Sequence, residues 1–158
     1  VARCLLIGCG CRGQLLAREL IARGHAVRGT TRDRSRVPAI ESSGAEAVVA
    51  DPDRVITLIP AFEHVAVACV LLGSAGDPSL HGPRLQMLLT RLVDTTMRGV
   101  VYEARGSAGA PVLHGGADLV AAFCADARTP YALLDADPGD FAGWTTAATE
   151  AVERVLER

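Results

Sequence analysis

An apolar run that ends in a glycine turn and restarts as a helix constrains this chain more than any other feature. Arg3-Cys4-Leu5-Leu6-Ile7 leads into Gly8-Cys9-Gly10-Cys11-Arg12-Gly13, a G-x-G-x-x-G spacing. With 16 glycines in 158 residues such spacings arise by chance, so the surroundings must test it. In a strand-turn-helix unit each glycine has its own task. Gly8 permits the tight turn, Gly10 lets backbone approach a phosphate with no Cβ in the way, and Gly13 lets the helix lie close to the strand. The helix start adds unpaired N–H groups and a positive dipole end, which together suit the pyrophosphate of a dinucleotide.

The next forty residues fit that context. Leu15, Leu16, Leu20 and Ile21, with Ala17 and Ala22, form an apolar face at helical spacing, so a helix is predicted over 12–23, stopped by Gly24. A strand follows at about 26–31, and its end lies about twenty residues after the glycines, where a dinucleotide site reads the adenosine ribose. Asp or Glu there accepts from the ribose hydroxyls of NAD, whereas a nearby arginine accommodates the 2′-phosphate of NADP. This chain has Thr31 and Arg32, then Asp33, Arg34 and Arg36. The planar guanidinium of Arg32 suits a phosphate and can stack on adenine. Arg34 and Arg36 read as solvated charges, and Asp33 is the residue that would keep NAD in play.

The segment from Cys4 to Asp51 also carries Arg23-Gly24-His25-Ala26-Val27-Arg28-Gly29-Thr30-Thr31-Arg32 and Gly44-Ala45-Glu46-Ala47-Val48-Val49-Ala50-Asp51. With the glycine turn, it resembles the atypical and extended branch of the short-chain dehydrogenase/reductase superfamily, which comprises NAD(P)-binding, epimerase/dehydratase-like proteins. The resemblance implies that Arg32 marks a preference for NADP and that Asp51, after the third strand, hydrogen-bonds the adenine. On its own, Asp51 before Pro52 would pass as a turn or capping residue.

Beyond Asp51 the rhythm continues. Residues 65–72 form a continuous apolar run suited to a parallel strand buried on both faces. Its carboxyl end opens into a loop at Gly73-Ser74-Ala75-Gly76 on the ligand-facing edge. Leu72 and Gly73 there complete a candidate cofactor-binding set with Gly8, Cys9, Gly10, Cys11, Arg12, Gly13, Thr31, Arg32 and Asp51. A helix is predicted at about 83–97, a strand at 99–104, a helix at 116–127, a strand at 130–135 and a helix at 140–157. About six strands alternating with helices give one doubly wound, mostly parallel α/β domain over 1–158, of Rossmann type, with strand order 3-2-1-4-5-6.

A chain of this length builds one core, and no separate substrate domain is expected. A substrate would then be small and held by loops, or a second subunit or protein partner would complete the site. No signal peptide is evident, and no apolar run reaches the ~18 residues of a membrane span, so a cytoplasmic protein without a membrane partner is expected. A net charge of −2 without a basic stripe argues against nucleic acid. The five cysteines lack paired metal-ligand spacing and read as reduced thiols. Cys9 and Cys11 sit in the phosphate turn, where a helix N-terminus would lower a thiol pKa, but they read first as small packing residues and only second as redox-sensitive thiols. Asp135-Ala136-Asp137-Pro138-Gly139-Asp140 reads as helix capping and not as a metal site.

Catalytic residues are where the chain departs from the superfamily. The usual base there is a tyrosine with a lysine four positions on, assisted by a serine, but all 16 basic residues here are arginine. Tyr102 is followed at that offset by Gly106 and Tyr131 by Asp135, and arginine does not replace lysine in a proton relay. Glu103, Arg105, Ser107, His81 and His114 remain near the expected mouth, although both histidines read as loop residues. Methyltransferases that use S-adenosylmethionine and flavoproteins share the opening motif but want an acid where Thr31-Arg32 stands. Two functions stay open: a non-catalytic NADP(H) binder or sensor, and an oxidoreductase with an unusual or shared catalytic site.

Overall fold

The computed structural model describes residues 2–158. Six strands form a single sheet in the order β3-β2-β1-β4-β5-β6, with every neighbouring pair parallel. They are β1 (Arg3–Ile7), β2 (Ala26–Thr31), β3 (Glu46–Val49), β4 (Val67–Val70), β5 (Gly99–Glu103) and β6 (Tyr131–Leu134). Four α-helices lie between strands, α1 (Cys11–Ala22), α2 (Val37–Ser42), α3 (Pro83–Leu92) and α4 (Ala110–Ala127), and α5 (Phe141–Glu157) follows β6. This is the doubly wound order expected from the alternation of patterns, and it puts the switch point between β1 and β4, at the glycine turn.

The period of two along β1 builds both cores. Cys4 and Leu6 face one side, where they join Leu16 and Leu20 of α1, Ile40 of α2 and Trp144 and Val152 of α5. Leu5 and Ile7 face the other, packing with Leu58 and Phe62, Leu85 and Leu89 of α3, and Leu113 and Val120 of α4. The sheet is therefore covered on both faces, which explains the continuous apolar run of β4, buried at all four positions.

Several boundaries differ from the sequence reading. The helix predicted over 83–97 ends at Leu92, because Thr95 turns its hydroxyl onto the Leu92 carbonyl at 2.6 Å and breaks the ladder. The helix predicted from 116 begins at Ala110 and runs through Gly115-Gly116. A Cβ at residue 116 would collide with the Tyr102 ring, so the glycine there lets α4 close on β5. The strand predicted over 65–72 is shorter, Val67–Val70. Between β3 and β4 the apolar run Val55–Phe62 forms 3₁₀ turns despite Pro60. That segment is tied down by Arg28, a buried side chain of β2 whose guanidinium donates to the Ala61 and Glu63 carbonyls at 2.7 and 2.9 Å and pairs with Glu46 at 2.9 Å. Asp140 caps α5 by accepting from the Gly143 N–H, whereas Asp137, the residue before Pro138 from which capping is expected, accepts from the Gly139 N–H in the preceding turn.

Candidate functional site

The glycine turn is pinned to β2. The Gly8 N–H donates to the Thr30 hydroxyl at 3.1 Å and the Cys9 N–H to the Thr30 carbonyl at 2.9 Å. Gly8 has φ of +89°, and a Cβ there would stand 2.7 Å from the Leu71 carbonyl oxygen, so both conformation and space require glycine. A Cβ at Gly13 would stand 3.3 Å from the Cys9 sulfur, marking the close helix-strand approach. Gly10 is the opposite case. Nothing lies within 4 Å of where its Cβ would be, so its open side faces a space that the fold itself leaves clear. Gly10 also offers no side-chain cap to α1, which leaves the N–H groups of the first turn without intrahelical acceptors.

That space belongs to a cleft of about 850 Å³ along the carboxyl edge of β1, β2 and β3. Its walls include Gly8, Cys9 and Gly10 at one end and Thr31, Arg32, Asp33, Arg36 and Asp51 at the other, with Leu72 and Ser74 along the side. Arg32 is exposed at the rim and makes no hydrogen bond or ion pair among the described residues. Asp33, the residue that would favour NAD, has its carboxylate turned into the following turn, accepting from the Ser35 hydroxyl at 2.7 Å and the Ser35 N–H at 2.9 Å. Those bonds hold its carboxyl below the usual range. The Thr31 hydroxyl is used locally, accepting from the Asp33 N–H and donating to its carbonyl. The Asp51 carboxylate accepts from the Asp53 N–H at 2.9 Å. Of the flanking arginines, Arg36 lines the cleft and sits 3.9 Å from Asp33, whereas Arg34 is not among the lining residues.

At the other end lies a network built around a residue the sequence only hinted at. Glu103, at the end of β5, is 1% exposed. Its carboxylate accepts from the Gly73 N–H at 2.8 Å, from the Trp144 indole N–H at 3.0 Å and from the Arg12 guanidinium at 3.4 Å. Arg12 also reaches the Ser74 hydroxyl at 3.4 Å and stacks over the Trp144 ring at 5.6 Å. Cys11, Arg12, Gly13, Ser74, Glu103 and Trp144 surround a second, smaller cavity of about 170 Å³. Gly73 lines neither space. Trp144 has no local signature, because its partner Glu103 lies 41 residues away in sequence.

The remaining candidates do not converge. His81 is buried, with Nδ1 2.6 Å from the Tyr102 hydroxyl and Nε2 3.2 Å from the Ala75 carbonyl. A carbonyl only accepts, so Nε2 carries the proton and Nδ1 accepts from the phenol, whose own ionisation burial pushes up. The loop reading of His81 is thus corrected to a core histidine. His114 is likewise not in a loop but exposed on α4, and Arg105 and Ser107 are exposed between β5 and α4. Cys9 packs as a small buried residue, the favoured reading, and not as a redox-sensitive thiol: it lies against α1 and β2, and desolvation raises its pKa to about 11. Cys11 is the exposed member of the pair.

No family model and no curated protein matches the chain. Solved structures do. BdcA from E. coli is similar over 98% of this chain and 90% of its own, with 14% identity and a TM-score of 0.76. A UDP-glucose 4-epimerase from Brucella ovis in complex with NAD matches over 84% of this chain and 51% of its own, with 12% identity and a TM-score of 0.70. Citrobacter sp. triphenylmethane reductase complexed with NADP(H) matches over 84% and 48%, with 19% identity and a TM-score of 0.69. The chain spans about half the length of the epimerase and the reductase. At these identities the likeness is one of fold, a Rossmann-type α/β domain. Among the described residues no helix is long and apolar enough to cross a membrane.

Proposed function

We propose that the protein binds a nicotinamide dinucleotide in the long cleft, prefers NADP(H) to NAD(H), and holds it without turning it over. The observation that carries this reading is the pairing of Gly10, whose missing Cβ would project into open space, with Arg32, an unpaired guanidinium at the far rim of the same cleft. The first turn of α1 would take the pyrophosphate on its free N–H groups, Asp51 the adenine and Arg32 the 2′-phosphate. The two dinucleotide complexes of similar fold, one with NAD and one with NADP(H), support the ligand class. Preference between them rests on the residues of this chain: no carboxylate stands at position 31, and that of Asp33 is bonded to Ser35.

The reading as a binder or sensor rests on the acid-base groups. There is no lysine to complete a tyrosine relay, His81 is committed to the core, and Glu103 already accepts from three donors. Calorimetric titration tests the ligand claim. NADP is expected to bind more tightly than NAD, and Arg32→Ala to weaken NADP by about 1.5–3 kcal/mol, the range for a charge-assisted contact. Equal affinity for the two dinucleotides, or a change within twofold on Arg32→Ala, rejects the preference.

A further inference from the structure

The two halves of a Rossmann sheet each receive one mononucleotide, the adenosine side over β2 and β3 and the nicotinamide side over β4 and β5. In this chain the two sides are built unequally. The adenosine side opens into the cleft of about 850 Å³. On the nicotinamide side, the loops after β4 and β5 are joined to each other. The Gly73 N–H donates to Glu103 at 2.8 Å, the Ala108 N–H donates to the Gly73 carbonyl at 2.9 Å, and Gly106 lies so close to Gly73 that a Cβ at 106 would overlap its backbone. Arg12 then bridges the glycine turn to both loops, reaching Ser74 and Glu103 and covering Trp144. The cavity these groups share with Gly8, Gly10 and Gly13 of the glycine turn is about 170 Å³, below the ~300–1,000 Å³ of usual small-molecule sites.

We propose that recognition stops at the pyrophosphate: the ligand class is the 2′-phosphorylated ADP-ribose moiety, and the nicotinamide ring is left in water. This rests on the NADP reading above and adds to it. A site that ignores the ring has equal affinity for the oxidised and reduced cofactor, and equal affinity shifts no equilibrium between ligand states. Such a protein reports how much phosphorylated dinucleotide is present, not its redox balance. The bridge is a loose one: the Arg12 contacts at 3.4 Å are long for charge-assisted bonds, and its Nε is buried without a partner.

The test is calorimetry of the protein with NADP⁺, NADPH and 2′-phospho-ADP-ribose in parallel, with the emission of bound NADPH as a second readout. The expected result is three dissociation constants within threefold of one another and NADPH emission like that of the free cofactor in water. A preference of more than threefold for either dinucleotide over 2′-phospho-ADP-ribose, or NADPH emission enhanced and blue-shifted on binding, overturns the inference and leaves the NADP reading standing. Failure of all three to bind overturns both.

Discussion

Replacing Glu103 by glutamine tests whether its carboxylate organises the carboxyl edge of the sheet. The swap keeps size and shape but exchanges one acceptor oxygen for an NH₂ donor. In the native protein one oxygen accepts from the Gly73 N–H at 2.8 Å and the other from the Trp144 indole at 3.0 Å. Glutamine can satisfy only one of these. Its amide nitrogen must face either a backbone N–H or an indole N–H, and the donor left unpaired in a buried site costs about 1–3 kcal/mol. Loss of the Arg12 partner adds at most about 1 kcal/mol, because that contact is long and the Arg12 side chain is 23% exposed. A total of about 1–4 kcal/mol corresponds to a melting point lower by about 2–16 °C for a domain of this size. Urea unfolding followed by circular dichroism measures it. Combining Glu103→Gln with Trp144→Phe should cost less than the sum of the two single changes, because the indole N–H that glutamine cannot satisfy is gone. A melting point for Glu103→Gln within 2 °C of the native protein, or strict additivity with Trp144→Phe, would refute the network as an energetic unit.

Gly10→Val should leave the melting point within about 3 °C, since its φ of −85° suits any residue and its Cβ meets nothing, yet reduce NADP binding below calorimetric detection. A folded variant that still binds would remove the cradle from the argument. Arg28→Met, which keeps the stem and deletes the guanidinium, should cost about 2–4 kcal/mol in urea unfolding because the Ala61 and Glu63 carbonyls lose their donors. Glu46→Gln, at the exposed end of the same ion pair, should cost less than about 1 kcal/mol. A screen for NADPH oxidation with small aldehydes, ketones and sugar nucleotides should show little or no turnover, since the missing proton relay is a factor of about 10²–10⁴ in rate. Robust turnover would reject the binder reading and turn attention to His114, exposed on α4.

The first half of the fold is legible because its determinants are local. The strand, glycine turn, helix and second strand from Arg3 to Thr31 each carry their own periodicity, and the structure places their ends within a residue or so of the pattern. Where the sequence misleads, a distant contact has outweighed a local preference. Gly115-Gly116 looks like a break, but Gly116 sits inside α4 because the Tyr102 ring needs the space. Residues 55–62 draw no reading from the sequence, and Val55–Phe62 is held against the sheet by an arginine from β2. His81 beside Gly82-Pro83 looks like surface, but its ring is fixed by Tyr102 and Ala75.

The candidate site divides along the same line. The glycine turn and Arg32 are adjacent to the elements that announce them, so their positions follow once the strand-turn-helix is recognised. Glu103, Gly73, Arg12 and Trp144 come from four separate parts of the chain and meet only because β5 lies beside β4, β4 beside β1, and α5 against α1. Their meeting bears on chemistry. A carboxylate at the end of β5 reads as a substitute acid when only its place in the sequence is known. With three donors on it, one of them a loop N–H and another the sole tryptophan, releasing it for proton transfer means breaking bonds that hold two loops and a helix together. A general acid needs to reach its substrate and to change protonation at little cost. Glu103 lines the small cavity, but it is 1% exposed and its carboxylate is already engaged by three donors, which favours a structural role at this sheet edge.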